Sequence, residues 1–395
     1  MNSQKSGVRS QKSEARIACR VLVCALCVTI FSMSGSRATD RTNKGANFVS
    51  SAGGWREATA GYEFSFPRDH ASHPEYRIEW WYYRGNLETE DGKRIGYQLT
   101  FFRTGIVNRP LVASRWAVRD LYIAHFAITD IEREKFHWFE RINRAGIGWA
   151  GAEANAYRVW NEDWQARLDA GDHLIEAAEE NFKLELRLTP EKKEIAHGEN
   201  GVSRKGPSAE NTSHYYSIAR FRAQGRVMIE GRSFDVTGAS WMDHEFGTNF
   251  FESEQKGWDW FSIQLDDGRE LMLFRIRQAD GSIDPRSSGT LIEKNGSAIH
   301  IRFDEFQLTP VSVWRSEASG AQYPVEWKLE APRFDLSLRI RAALNDQELI
   351  TTESAGVTYW EGSVAVDGAG AQGRGYLEMT GYTGQSIGAV MRDGR

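Results

Sequence analysis

EWWYYRGNL (residues 79–87), followed by Asp91-Gly92-Lys93, returns later in the chain as GWDWFSIQL (257–265), followed by Asp267-Gly268-Arg269. Trp80 aligns with Trp258, Tyr82 with Trp260 and Leu87 with Leu265, and the turn of the second copy is two residues shorter. A second pair of segments lies near the end of each half: GASWMD (238–243) lines up with GRGYLE (373–378), so Trp241 matches Tyr376 and Asp243 matches Glu378. Two matched segments in the same order predict two tandem domains of one type. Convergence of generic hairpins is the competing explanation, because each match is short.

Working outward, the chain reads as strands. RIGYQLTFFR (94–103), FKLELRLT (182–189), RVMIEG (226–231), FSIQL (261–265), RELMLFRIR (269–277) and FDLSLRIRA (334–342) alternate in polarity. Asp-Gly and Asn-Gly pairs at 91, 267, 280, 295 and 367 supply hairpin turns. Helical periodicity is scarce, and residues 161–180 hold at most one short helix. The expected fold is all-β, with two tandem lipocalin-like (calycin) antiparallel β-barrels spanning 60–247 and 248–390. Closure removes sticky sheet edges, and a barrel of about eight strands can enclose one small ligand. A sandwich is the competing all-β choice, less suited to strands this rich in glycine and tryptophan. The polar stretch 190–213 reads as a long surface loop, either a lid over a barrel mouth or a plain excursion.

The N-terminus reads as an export signal. Five basic residues before position 21 precede the uncharged run VLVCALCVTIFSM (21–33), then SGSRATD with Ser36 and Ala38 placed for cleavage. Thirteen apolar residues suit a secretory core and are short for a membrane helix, although an uncleaved anchor is the alternative. Residues 1–38 are thus expected to be a signal peptide, 39–59 a linker, and the mature protein periplasmic or secreted without a membrane span. All 3 cysteines precede residue 30, so the mature chain lacks disulfides, thiol catalysis and thiolate metal sites. Cleavage removes six bases and one acid, taking the formal net charge from −5 to −10. Such a chain has no electrostatic reason to bind nucleic acid or anionic lipid.

The densest chemistry lies in SWMDHEFG (240–247) and GWDW (257–260), which gather Trp241, Asp243, His244, Glu245, Trp258, Asp259 and Trp260 at the junction of the halves. Acids near a histidine can act as general acid and base, and aromatic walls raise a carboxyl pKa and stabilise positive charge. The plainer reading makes the acids turn caps and the tryptophans core. In EWWYY, Glu79, Trp81 and Tyr83 face one way, and Trp80 and Tyr82 the other. Glu79 either lines a pocket or pairs with Arg103, since a carboxylate in an aromatic run needs a partner. His125 reads as an interior histidine. His70 and His73 lack a nearby third ligand and read as loop, so no metal site is expected. Ser203 and Lys205 have no triad context, and no G-x-S-x-G, HExxH or phosphate loop occurs.

HPEYRIEWWYYRGNL, GYQLTFFR, AHFAITD, GVSRKGP, GASWMDHEFG, GWDWFSIQLDDGRELMLFRIR and YWEGSV…GRGYLEMTGY together resemble the AttH/CrtC family, over about residues 60–385. That lipocalin-like group includes carotenoid 1,2-hydratases (hydroxyneurosporene synthases) and exported proteins described as hydrolases. The resemblance implies tandem calycin barrels and a hydro-lyase that protonates an isoprenoid double bond without a cofactor. Asp243 would be the leading donor, with His244, Asp259 or Glu245 assisting. Glu79, Trp80, Trp81, Tyr82, Trp241, Trp258 and Trp260 would wall a hydrophobic ligand. Cyclase or isomerase chemistry also occurs on related double barrels. The alternative is a non-catalytic carrier of an isoprenoid or lipid, serving an envelope transport system.

Overall fold

A computed structural model describes residues 53–384, apart from 110–113, 115, 200, 209, 250 and 370. The expected signal peptide lies outside the described residues, and the linker enters them only at its end. Two antiparallel sheets carry the chain, thirteen strands between Ile78 and Gly247 and ten between Gln255 and Thr380, each curled into a near-closed barrel. Among the described residues there is no α-helix, and no helix long and apolar enough to cross a membrane.

The repeat is structural. In the first barrel, strand Ile78–Thr89 pairs with Arg232–Gly247, setting Tyr82 opposite Asp243 and Leu87 opposite Gly238. In the second, Gln255–Leu265 pairs with Ala371–Thr380, setting Trp260 opposite Glu378 and Leu265 opposite Gly373. The residues aligned by sequence therefore occupy the same register, and in both barrels the first and last long strands are neighbours.

Period-two alternation then divides each strand between two environments. Trp81, Tyr83 and Leu87 enter the first barrel's core, as Phe261, Ile263 and Leu265 enter the second. Their outward neighbours, including Trp241, Trp260, Met272 and Phe274, meet in a separate cluster between the barrels. The barrel interiors are packed with large side chains, Trp81 and Trp164 in one, Trp327 and Trp360 in the other. A cleft bounded by the matched strands lies at the seam instead. Cross-barrel bonds fix that seam: Gln98 Nε2 to the Tyr359 hydroxyl at 3.2 Å, Thr129 to Gln347 at 2.8 Å and Gln264 Nε2 to the Ser240 carbonyl at 2.9 Å.

Two local expectations change. Residues 161–180 form no helix. The strands Trp164–Asp169 and Asp172–Glu179 join through Ala170 and Gly171, both at positive φ (51° and 94°), as a tight hairpin demands. The stretch 190–213 is no surface excursion either. It pairs onto the long strand Thr212–Ile229 through Ile195–Ala196 and Val202–Arg204, burying His197, Ser203 and Lys205.

Gly238 and Gly373 sit at equivalent positions where the paired strands approach closely. A Cβ at either would lie within 3 Å of a backbone carbonyl, Asn86 or Gln264 respectively, and backbone cannot swing aside. Gly238→Ala and Gly373→Ala are each expected to cost about 1–3 kcal/mol through forced strand separation. Urea denaturation checks this, with a matched Gly→Ala change at the open turn of Gly92 as a reference; there nothing lies within 4 Å of an added Cβ, although its φ of 81° adds its own strain.

A charged aromatic cleft between the barrels

At the seam, the outward faces of the two matched strand pairs bound a cleft. Trp80, Tyr82, Arg84, Phe102, Asp243 and Glu245 come from the first barrel; Trp258, Trp260, Phe274, Ile276 and Glu378 from the second. Lys205, Tyr215 and Phe251 complete it. The cavity volume is about 80 Å³, so the walls stand close together.

Arg84 is the centre of its electrostatics. Its guanidinium is buried, 3.9 Å from the Trp260 ring centre and 4.5 Å from that of Tyr82. Nη2 reaches Asp243 Oδ2 at 3.1 Å, and Nε lies 3.6 Å from Glu361 Oε1. One cation thus faces three buried carboxyls, because Glu361 stands directly across the strand pair from Glu378. They are not equivalent. Asp243 Oδ1 accepts from the Trp241 indole and the Tyr215 hydroxyl, each at 2.9 Å, and from the Ser217 hydroxyl. Burial still pushes its pKa up, against Arg84 and these donors. Glu378 receives one bond, from Trp258 Nε1 at 2.9 Å, and burial pushes it up to about 7 while Arg84 pulls it down. No hydrogen-bond donor reaches either oxygen of Glu361, and burial holds its pKa well above the ordinary range. Glu245 is paired with Lys205 Nζ at 3.0 Å, and that ammonium also donates to Ser203 Oγ at 2.8 Å.

A model of the AttH-like family matches residues 57–382. The chain belongs to the AttH-like family. An AttH-type protein of Nitrosomonas europaea is 36% identical, with a TM-score of 0.76 over 82% of this chain and 99% of its own. Kievitone hydratase of Nectria haematococca shares the fold at 14% identity and a TM-score of 0.62, over 80% of this chain and 92% of its own. Comparison with proteins of curated function finds none that matches.

In this AttH-like protein the cleft gathers Trp80, Tyr82, Asp243, Glu245, Trp258 and Trp260 from the residues singled out by sequence, with Trp241 behind Asp243. Four others lie elsewhere, because strand alternation turns them away. Asp259 faces the other side of its strand, held by Arg275 Nη2 at 2.8 Å, Arg277 Nε at 3.3 Å and the Tyr382 hydroxyl at 2.8 Å. Glu79, Trp81 and His244 point into the end of the first barrel. There Glu79 Oε2 meets Arg103 Nε at 3.1 Å, Glu79 Oε1 meets His244 Nε2 at 2.9 Å, and Trp81 stacks on His244. Sequence reasoning missed Arg84, Lys205 and Glu378. Only Glu378 left a signal, as the repeat partner of Asp243.

Replacing Arg84 by Met removes the shared cation. With Arg84 gone, the carboxyl pKa values rise further above those of the unfolded chain, so the deficit must grow with pH. Arg84→Met is expected to cost about 3 kcal/mol or more at pH 8 and to recover much of that at pH 5, where the carboxyls hold protons. Denaturant melts at the two pH values check it.

Proposed function

We propose that this protein is a cofactor-independent hydratase-type enzyme whose cleft protonates a double bond in a largely apolar molecule of isoprenoid type. The observation that carries the reading is Glu378, a buried carboxyl on the aromatic wall with a single hydrogen-bond donor, Trp258 Nε1, and with Glu361 directly across the strand pair; burial raises its pKa, which suits a general acid. Glu378 rather than Asp243 takes the donor role. Three donors and Arg84 already engage the oxygens of Asp243, which suits an ionised group that offsets positive charge.

In the reaction, the Glu378 proton adds to one alkene carbon and the π electrons form the new C–H bond, leaving a tertiary carbocation on the other. Aromatic faces and the carboxylates stabilise that cation. Water attacks it, and the proton released returns to Glu378, so the net change is addition of one water. Loss of a neighbouring proton instead would give an isomer, so exclusion of stray water sets the outcome. The family and the hydratase that shares this fold support a hydratase-type or ligand-binding protein, and the aromatic side chains of the cleft favour an apolar substrate of isoprenoid type. The signal-like N-terminus supports export. A carrier that uses the same cleft without chemistry is the second reading, favoured by the complete pairing of Glu245 and Lys205.

The test uses isoprenoid alkenes in ¹⁸O-labelled water. The enzyme reading expects one labelled hydroxyl in the product, a rate that falls as pH rises through about 7, and a loss of at least 100-fold in Glu378→Gln with binding retained. Recovery of every bound alkene unaltered, with indole fluorescence reporting occupancy, would leave the carrier.

A further inference from the structure

Behind the first barrel's end wall, five of the 9 histidines, His70, His73, His173, His214 and His244, lie around one buried polar cluster. Two of them converge on a single carboxylate oxygen. His73 Nδ1 lies 2.8 Å and His244 Nε2 2.9 Å from Glu79 Oε1, and the three ligand atoms fall within 4.8 Å of one another. The residues come from a turn and from two paired strands, so the rigid sheet holds two of the three. We propose that His73, Glu79 and His244 form a site for a divalent transition metal of the zinc class, separate from the cleft.

Tautomers argue for a cation at this point. The Tyr216 hydroxyl has one proton and meets the Asp69 carbonyl at 3.1 Å, His70 Nδ1 at 2.8 Å and His244 Nδ1 at 3.0 Å. A carbonyl can only accept. With the hydroxyl proton given to it, His244 presents Nδ1–H to Tyr216 and a bare Nε2 to Glu79. A bare nitrogen 2.9 Å from a carboxylate oxygen is repulsive, so a cation lies between them, either a proton that makes His244 an imidazolium or a metal ion.

The outer shell fits as well. Metal-bound histidines commonly hold their second nitrogen against a carboxylate or another fixed acceptor. His73 Nε2 lies 3.4 Å from Asp69 Oδ1, and His244 Nδ1 is held by Tyr216. Arg103 and the Ser72 hydroxyl, at 3.1 and 2.8 Å, take Glu79 Oε2, while Oε1 accepts the His73 backbone N–H at 2.9 Å and keeps its other lone pair toward the two imidazoles. Two imidazoles and one carboxylate match the ligand chemistry of zinc with a fourth position left to water. A groove lined by Tyr62, Asp69, Ser72 and His73 leads from solvent to the His73 edge and gives an entry path.

Untagged protein carrying Cys19→Ser, Cys24→Ser and Cys27→Ser, stripped with chelator and dialysed against Co²⁺ or Zn²⁺, tests the site. We expect one metal per chain by elemental analysis, visible Co²⁺ absorption of a low-coordinate site, and displacement of Co²⁺ by Zn²⁺. Asp69→Asn should weaken binding by about 10–100-fold, and His73→Ala should abolish it, while Glu378→Gln leaves it unchanged. No stoichiometric uptake by this cysteine-free chain, or uptake undiminished in both His73→Ala and Asp69→Asn, would overturn the assignment and leave a proton-bridged network. The measurement on the cysteine-free chain stands even if a site variant fails to fold.

Discussion

A single buried guanidinium sets the terms for the seam. Arg84 stands between the Tyr82 and Trp260 rings and faces Asp243, Glu361 and Glu378, so one positive charge is divided among three carboxyls. Desolvation is costly for each unpaired anion. The molecule meets that cost unevenly, by giving Asp243 Oδ1 three donors and leaving Glu378 with one and Glu361 with none among the described residues. Burial accordingly raises the pKa values of the poorly served pair. The charge arrangement of the cleft and the packing of the seam are therefore coupled through one side chain.

Duplication explains how such an arrangement arises at a seam. The Tyr82–Asp243 pair of one barrel and the Trp260–Glu378 pair of the other occupy equivalent registers. When the two outward faces are packed together, an aromatic and a carboxyl from each half arrive at the same place. Neither interior needs to be hollow. Packed cores give rigidity, which a proton donor requires if its distance to a substrate carbon is to be held.

The fold was legible because period-two alternation, turn dipeptides and the repeat all pointed one way. The cleft was half legible. Its composition followed from clustering in 240–260, but side selection did not: Trp81 and Tyr83 are as buried as Tyr82, so polarity gives no sign of which face meets the other barrel. Alternation places Glu79 and Trp80 on opposite faces, so only Trp80 lines the cleft. Asp243 and His244, adjacent in sequence, serve different clusters for the same reason. Lys205 was obscured by its setting in a polar, glycine-containing stretch, whose burial comes from pairing with a strand at Thr212–Ile229. Arg84 looked like an ordinary strand charge, since nothing local announces a partner more than 150 residues away.

Two polar clusters back to back on the same strands raise the question of cross-talk. Trp80, Tyr82 and Arg84 face the cleft, whereas Glu79, Trp81 and Tyr83 face the barrel's interior, and Asp243 and Glu245 are likewise set apart from His244. The backbone between them is paired on both sides, with one irregularity opposite Trp241, where the register of the neighbouring strand shifts between Ile218 and Phe221. It is a poor conduit for small motions but a firm support. A change of charge at Glu79 would reach Asp243 mainly through space, across the sheet, where Arg103 and Arg84 each screen their own side. The two sites are therefore built to act independently while sharing one scaffold. What the inner cluster gives the cleft is a fixed strand position, because Glu79 and His244 tie the two strands that carry Tyr82 and Asp243 to each other from behind.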